Sequence, residues 1–325
     1  MTAHILHIRD DGDAAIEAAR AVLSNARPVA IPTETVYGLA ADATDAVAVA
    51  RIYETKGRPQ FNPLICHMAD LAMAEEYALF DPVSRRLAEA FWPGPLTLVL
   101  PLKRPSRIQS LATAGLDTVG IRVPKGFASA LIRAFGKPLA APSANTSGKV
   151  SPTQARHVAE DLGEKLDLII DGGSAPVGVE STIVRVENGT IRLLRPGGVS
   201  AEELEAATGM PIMRPKAPSP TIEAPGMLAS HYAPTAQVRL DARAIRPGEA
   251  VIAFGDTRLD GRDTATLVLN LSPDGDLRQA DANLFDYLKK ADAAAVSGIA
   301  VAPIPYEGLG EAINDRLARA AAPRT

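Results

Sequence analysis

From residue 28 to about residue 200, short β-branched runs alternate with stretches of helical periodicity, and this alternation confines the chain to α/β folds. The runs are Val29-Ala30-Ile31, Leu96-Thr97-Leu98-Val99-Leu100, Val119-Gly120-Ile121-Arg122-Val123, Leu139-Ala140-Ala141, Leu168-Ile169-Ile170, Ser181-Thr182-Ile183-Val184 and Ile191-Arg192-Leu193-Leu194. The last two are expected to pair through a Glu187-Asn188-Gly189 turn, which makes the sheet mixed. Between about 211 and 236 the periodicity disappears while Pro211, Pro215, Pro218, Pro220, Pro225 and Pro234 accumulate, the pattern of a stiff linker. Beyond it, strands at 238–240, 250–253, 266–269 and 299–302 and helices over 281–293 and 310–321 predict a second, smaller α/β domain. The expected division is 1–208, 209–236 and 237–325.

Charge and cysteine usage narrow the partners. Lys plus Arg total 34 against 38 Asp plus Glu, so no global basic field draws nucleic acid. A weak RNA contact would have to be local, and residues 101–125 offer Lys103, Arg104, Arg107, Arg122 and Lys125 against Asp117 alone. The single cysteine, Cys66, lies in an apolar run, which fits a reducing compartment. No stretch reaches the ~18 apolar residues of a membrane span, so a cytoplasmic protein without membrane contact is expected. Gly308-Leu309-Gly310 has Ile313 where a dinucleotide fingerprint has its third glycine, so NAD is not expected. The histidines His4, His7, His67, His157 and His231 show no zinc-ligand spacing.

The chemistry is expected in polar loops at strand ends. A helix over 44–55, capped by Thr44 or Asp45, stops at Gly57. That fixes Lys56 and Arg58 at a corner before Asn62-Pro63-Leu64-Ile65, where the two cations suit a polyphosphate. Cations at a helix C-terminus also complement the macrodipole, so the pair is not diagnostic alone. Pro32-Thr33-Glu34-Thr35-Val36-Tyr37-Gly38 and Pro142-Ser143-Ala144-Asn145-Thr146-Ser147-Gly148 follow two further strands. Ser151-Pro152-Thr153-Gln154 reads as a capping box opening a helix, and helix N-termini attract anions; Ser200 opens another. Arg122, on an apolar strand, calls for a carboxylate or phosphate partner.

Taken in order, Pro32–Gly38, Lys56-Gly57-Arg58-Pro59 with Asn62-Pro63-Leu64, Trp92-Pro93-Gly94-Pro95-Leu96-Thr97, Arg122-Val123-Pro124, Ala141-Pro142-Ser143-Ala144-Asn145, Val179-Glu180-Ser181-Thr182 and Leu194-Arg195-Pro196-Gly197 resemble the YrdC-type threonylcarbamoyl-adenylate synthase family in its long form, with an added C-terminal domain. The resemblance spans nearly the whole chain. It implies a twisted mixed α/β sheet with a concave site, followed by a smaller Rossmann-like domain. It also implies that L-threonine, bicarbonate and ATP give threonylcarbamoyl-adenylate and pyrophosphate, with Mg2+ accompanying the ATP and no metal held by the protein alone. A downstream complex would then transfer the group to tRNA. Carried over by position, Thr35, His67, Arg122, Ala141 and Ser181 would surround threonine. Lys56, Arg58, Asn62, Thr118, Ser143, Asn145, Ser151 and Arg195 would hold ATP, with Lys56 and Arg58 supplying the catalytic charge. Met227, His231 and Tyr232 lie in a stretch resembling the family's linker, which folds over the site as a lid; Leu228-Ala229-Ser230 departs from its basic and aromatic pattern. A non-catalytic RNA-binding module and a carbamoyl-adenylate domain of hydrogenase maturation are the rival readings, the latter lacking its acylphosphatase and zinc-finger regions here.

Overall fold

The computed structural model describes residues 2–214, 222–227 and 232–323. The chain runs β1 (His4–His7), α1 (Gly12–Ser24), β2 (Val29–Ile31), β3 (Gly38–Asp42), α2 (Ala46–Lys56), β4 (Ile65–His67), α3 (Leu71–Tyr77), α4 (Pro82–Phe91), β5 (Leu96–Pro101) and β6 (Thr118–Arg122). It continues through α5 (Phe127–Phe135), β7 (Leu139–Ala140), α6 (Ala155–Leu162), β8 (Leu168–Asp171), β9 (Thr182–Glu187), β10 (Thr190–Arg195), α7 (Ala201–Thr208) and β11 (Ile212–Met213). These strands form one mixed eleven-stranded sheet, ordered β1-β8-β2-β3-β7-β4-β6-β5-β9-β10-β11. After the linker come β12 (Val238–Arg239), β13 (Glu249–Ala253), β14 (Leu267–Asn270), α8 (Leu277–Ala293), β15 (Gly298–Val301) and α9 (Gly310–Ala321). Their parallel four-stranded sheet has the order β12-β15-β13-β14. Among the described residues no helix is long and apolar enough to cross a membrane.

Local chemistry sets the corners that carry function. Helix α2 starts where the Asp45 carboxylate accepts the N–H groups of Val47 and Ala48, and it ends at Gly57 in the left-handed region, φ 59°. In the β9–β10 hairpin Glu187 pairs with Thr190, and Asn188 and Gly189 both have positive φ, the requirement of a tight primed turn. Strands β2 and β3 are antiparallel, with Ile31 opposite Gly38, so residues 32–37 bulge from the sheet as one loop. Parallel β4 and β6 place His67 beside Arg122, bringing both side chains to one face at the carboxyl ends of those strands.

Three features differ from the pattern read in the sequence. Strand β1 and helix α1 precede the expected start of the fold. Strand β3, Gly38-Leu39-Ala40-Ala41-Asp42, carries no β-branched residue, yet it is buried throughout between β2 and β7. Ser151 does not cap a helix. Helix α6 begins at Ala155 behind Gln154, without a side-chain cap, because Ser151 Oγ is already committed to Glu180 Oε1 at 2.5 Å.

Loops of the large domain share a hydrophobic cluster with the small domain. Helices α8 and α9 pack on one face of the small sheet, and Leu284 and Phe285 of α8 also pack with Val36, Val150 and Val179 of the large domain and with Tyr232. The Tyr232 and Phe285 rings stack with centroids 5.4 Å apart. Asp286 ties the helices across the seam through Arg156 Nη2 at 2.7 Å. Gly178, at φ +89°, lies so close to the α8 backbone that any side chain would overlap Asp281 and Ala282. Gly178→Ala should therefore lower stability by about 1–3 kcal/mol, the usual cost of overpacking. Denaturant unfolding measures this, and an unchanged midpoint would refute the close contact.

Candidate functional site

A cavity of about 50 Å3 lies at the strand ends of the large sheet, roofed by Pro225, Gly226 and Tyr232 from the linker. Its walls bring together all the positions expected around threonine, Thr35, His67, Arg122, Ala141 and Ser181, with Arg58, Ser143 and Arg195 from the expected ATP set.

Arg122 organises one wall. Its Nη2 lies 2.7 Å from Glu34 Oε1, its Nη1 donates to Thr35 Oγ1 at 2.8 Å, and its Nε donates to Gly94 O at 3.1 Å. The Lys125 N–H fills the other Glu34 oxygen. Glu34 is the carboxylate that the sequence left unassigned as Arg122's partner, although it sits between the two threonines that drew attention to the loop. His67 is buried beside Arg122; desolvation, then that guanidinium, pushes its imidazole down to about 3, which keeps it neutral.

Arg195 organises the facing wall. Its Nε and Nη2 donate to Ser181 O at 3.2 and 2.8 Å, Nη2 also donates to Ser181 Oγ at 3.2 Å, and Ser181 Oγ hydrogen-bonds with Thr97 Oγ1 at 2.8 Å. Arg58 is held from behind by Asn62 O and Pro63 O. Burial lowers its guanidinium to about 10, still cationic at neutral pH.

Lys56 stands behind the cavity wall. Its ammonium is 1% exposed and donates to the backbone oxygens of Ser143 and Asn145, so its first effect is to hold that loop in shape. Burial, then Arg58, lowers its pKa well below the usual lysine value. Asn62, Asn145 and Ser151 are likewise buried just outside the lining. Asn62 Oδ1, Asn145 Oδ1 and His67 Nδ1 are buried without a hydrogen-bond partner among the described residues, a cost that native proteins usually reserve for functional places. Thr118 is elsewhere, beside a separate depression lined by Arg185, Arg192 and Glu223. Met227 packs with Ala224 against Ile65, Val99, Ile183 and Leu194. His231 and Leu228-Ala229-Ser230 lie outside the described residues.

Two charged residues at the site escaped the sequence reading. Glu180 lines the cavity and accepts from Ser151 Oγ at Oε1 and from Arg316 Nε at Oε2, 2.9 Å away. Its signal was present in the Val179-Glu180-Ser181-Thr182 segment. Arg316 comes from α9, where it interrupts the buried stripe of Ile313, Leu317 and Ala320; a cation in such a stripe was the available clue. Of the basic 101–125 stretch, Arg122 is inside the cavity, Arg104 pairs with Asp117 and Arg107 reaches Glu76.

A family model described as telomere recombination, covering the Sua5, YciO and YrdC proteins, matches residues 21–197. A second, described as the C-terminal domain of threonylcarbamoyl-AMP synthase, matches residues 199–322. The chain is 42% identical to the threonylcarbamoyl-AMP synthase of Bacillus subtilis, over 96% of this chain and 94% of that one. It superposes on a doubly substituted variant of P. abyssi Sua5 with a TM-score of 0.88, at 38% identity, covering 98% and 96% of the two chains. Against P. abyssi Sua5 in complex with L-threonine the TM-score is 0.85, at 39% identity and 94% coverage of each chain.

Burial alone would raise the Glu180 carboxyl, but Arg316, Arg195 and the Ser151 hydroxyl hold it down, from an ordinary 4.5 to about 2. A depressed carboxylate contributes stability that is present above the unfolded value and is lost as pH falls through the folded one. Unfolding free energy should fall between pH 4.5 and about 2. Glu180→Gln should be less stable at neutral pH and show a shallower acid slope in urea unfolding at stepped pH. Parallel slopes would rule out this ionised pair.

Proposed function

The chain belongs to the Sua5-type threonylcarbamoyl-AMP synthase family, and from that premise we propose that it condenses L-threonine, bicarbonate and ATP into threonylcarbamoyl-AMP and pyrophosphate. The observation that carries this is the meeting, in one enclosed cavity, of an amino-acid-sized set around Arg122 with the phosphate-seeking Arg58, Ser143 and Arg195.

Arg122, already oriented by Glu34, pairs with the threonine carboxylate. Thr35, Ser181, His67 and the Ala141 backbone complete that subsite. Bicarbonate takes up a proton and loses water to give CO2, and the threonine nitrogen, as the free amine, bonds to its carbon and releases one proton, so the two protons balance. An oxygen of the resulting carbamate then attacks the α-phosphorus, and the bond to pyrophosphate breaks. No side chain needs to become a covalent nucleophile. The only cysteine, Cys66, is buried, its thiol raised to about 12. The protein's part is positioning and charge neutralisation. Arg58 and Arg195 face the phosphates, Ser143, Asn145 and Ser151 shape the loop against them, and Lys56 fixes that loop while adding its charge from behind. Asn62 anchors the Arg58 corner, and Thr118 extends the same sheet face.

Mg2+ supplies further phosphate neutralisation when ATP brings it. Among the described residues no cluster of three metal-ligating side chains occurs, and the Glu34 and Glu180 oxygens are engaged by cations, an amide and a hydroxyl. Such surroundings fit an ion carried on substrate phosphates.

The linker acts as the lid. Nucleotide-sized sites run to roughly 300–1,000 Å3, so the roof of Pro225, Gly226 and Tyr232 has to shift before ATP enters a cavity this small. The product passes to a downstream tRNA-modifying complex. In this reading the catalytic unit is 1–208, the lid 209–236 and the small domain 237–325.

Pyrophosphate release should require threonine, bicarbonate and ATP together; release persisting without threonine or without bicarbonate would refute the reading. Arg58→Ala should raise the ATP KM at least roughly tenfold, the equivalent of one lost charge-assisted hydrogen bond. Lys56→Ala should lose turnover and also lower the Tm of the ligand-free protein. Full activity in both variants would remove the phosphate assignment. Truncation after residue 208 should impair turnover, and undiminished turnover would exclude a lid.

A further inference from the structure

The cavity is built by the large domain and the linker, yet one of its supports comes from the last helix of the chain. Arg316 of α9 has no solvent exposure in its side chain. Its Nε donates to Glu180 Oε2 at 2.9 Å, its Nη2 to Pro196 O at 2.9 Å and its Nη1 to Asp315 Oδ2 at 2.6 Å. Its guanidinium carbon sits 5.2 Å from the centre of the Tyr232 ring.

Two of those contacts fall on the cavity wall or next to it: Glu180 lines the cavity, and Pro196 adjoins a lining residue. Glu180 precedes Ser181, and Pro196 follows Arg195. The two loops that carry Ser181 and Arg195 already press together at Gly197, where any side chain would overlap the backbone of Glu180 and Ser181. One planar guanidinium bridges them with hydrogen bonds fixed in angle, a geometry that a lysine ammonium does not reproduce. Through the second Glu180 oxygen the same support reaches Ser151 Oγ. Through the ring contact it reaches the linker residue that roofs the cavity.

We propose that Arg316 is a positioning residue for adenylate formation: by holding Glu180 and the Pro196 carbonyl from the C-terminal domain, it sets Ser181, Arg195 and Ser151 in register around the substrates. The small domain is then a working part of the site rather than an appendage. This rests on the synthase reading above, and it extends that reading to a residue outside the catalytic domain.

The test compares wild type with Arg316→Lys, Arg316→Met, Glu180→Gln and the Arg316→Met/Glu180→Gln double variant. Threonine-dependent pyrophosphate release and Tm are measured for each from pH 6 to 9. Arg316→Lys, which keeps the charge, should fold with a Tm near wild type but lose about tenfold or more in kcat/KM. Arg316→Met should lose more and acquire a falling acid limb in its pH profile as Glu180, deprived of its partner, takes up a proton. The double variant should be no less active than Arg316→Met, because a glutamine amide oxygen can still accept from Ser151 Oγ while no buried carboxylate is left unpaired, and it should lack that limb. Equal activity of Arg316→Lys and wild type would overturn the proposal. So would losses in the two single variants that add independently in the double variant, or a loss that tracks Tm alone with an unaltered pH profile. Absence of threonine-dependent release in wild type would instead overturn the synthase reading, so the two failures are distinguishable.

Discussion

Everything at this site follows from the need to keep cations in a dry place. Lys56, Arg58, Arg122, Arg195 and Arg316 are all buried, and isolated charge in such surroundings is prohibitively expensive unless fixed oxygens surround it. The fold meets that need with few carboxylates. Glu34 serves Arg122, Glu180 serves Arg316, and Lys56, Arg58 and Arg195 rest largely on backbone carbonyls. Carbonyls orient a cation without cancelling its charge, so the wall of the cavity remains positive although the whole chain has a net charge of −4.

That arrangement explains the sheet topology at the site. The supporting carbonyls belong to loops at 62–63, 143–145, 181 and 196; the strand directions place the first two at one end of the central strands and the last two at the other, so the cavity lies across the sheet face between them. Turn chemistry then sets each loop's angle. Gly57 ends α2 where the Arg58 side chain can reach back to Pro63, and Gly197 admits the backbone of the 180–182 segment.

The sequence disclosed the parts of this design that have local signatures. The α2 caps, the Asn188-Gly189 hairpin, the central strands and the α/β character of the small domain were all legible, because periodicity and turn residues act over a few positions. Strand β3 was hidden, since Gly38, Ala40 and Ala41 are chosen for close packing between neighbours rather than for strand propensity. Ser151 was misread for a related reason: a serine followed by proline fits a helix start, but tertiary hydrogen bonding to Glu180 outcompetes the cap. Most of the candidate wall was visible as motifs. The pairs that stabilise it, Arg122 with Glu34 and Arg316 with Glu180, span 88 and 136 positions, and no local rule connects residues so far apart.

The small cavity also bears on how a reactive adenylate would be protected. Its roof uses Pro225 and Gly226 beside Tyr232, and Gly226, at φ +83°, sits against the Arg195 side chain where a larger residue would collide. A roof made of backbone approaches the charged wall more closely than side chains could, and it excludes water from the cations that an acyl-phosphate intermediate would face. Tyr232 is held between Phe285 of α8 and Arg316 of α9, both from the small domain. Opening the roof therefore disturbs the same contacts that brace Glu180, and on the proposed reading substrate entry and alignment of the site are coupled through one buried arginine.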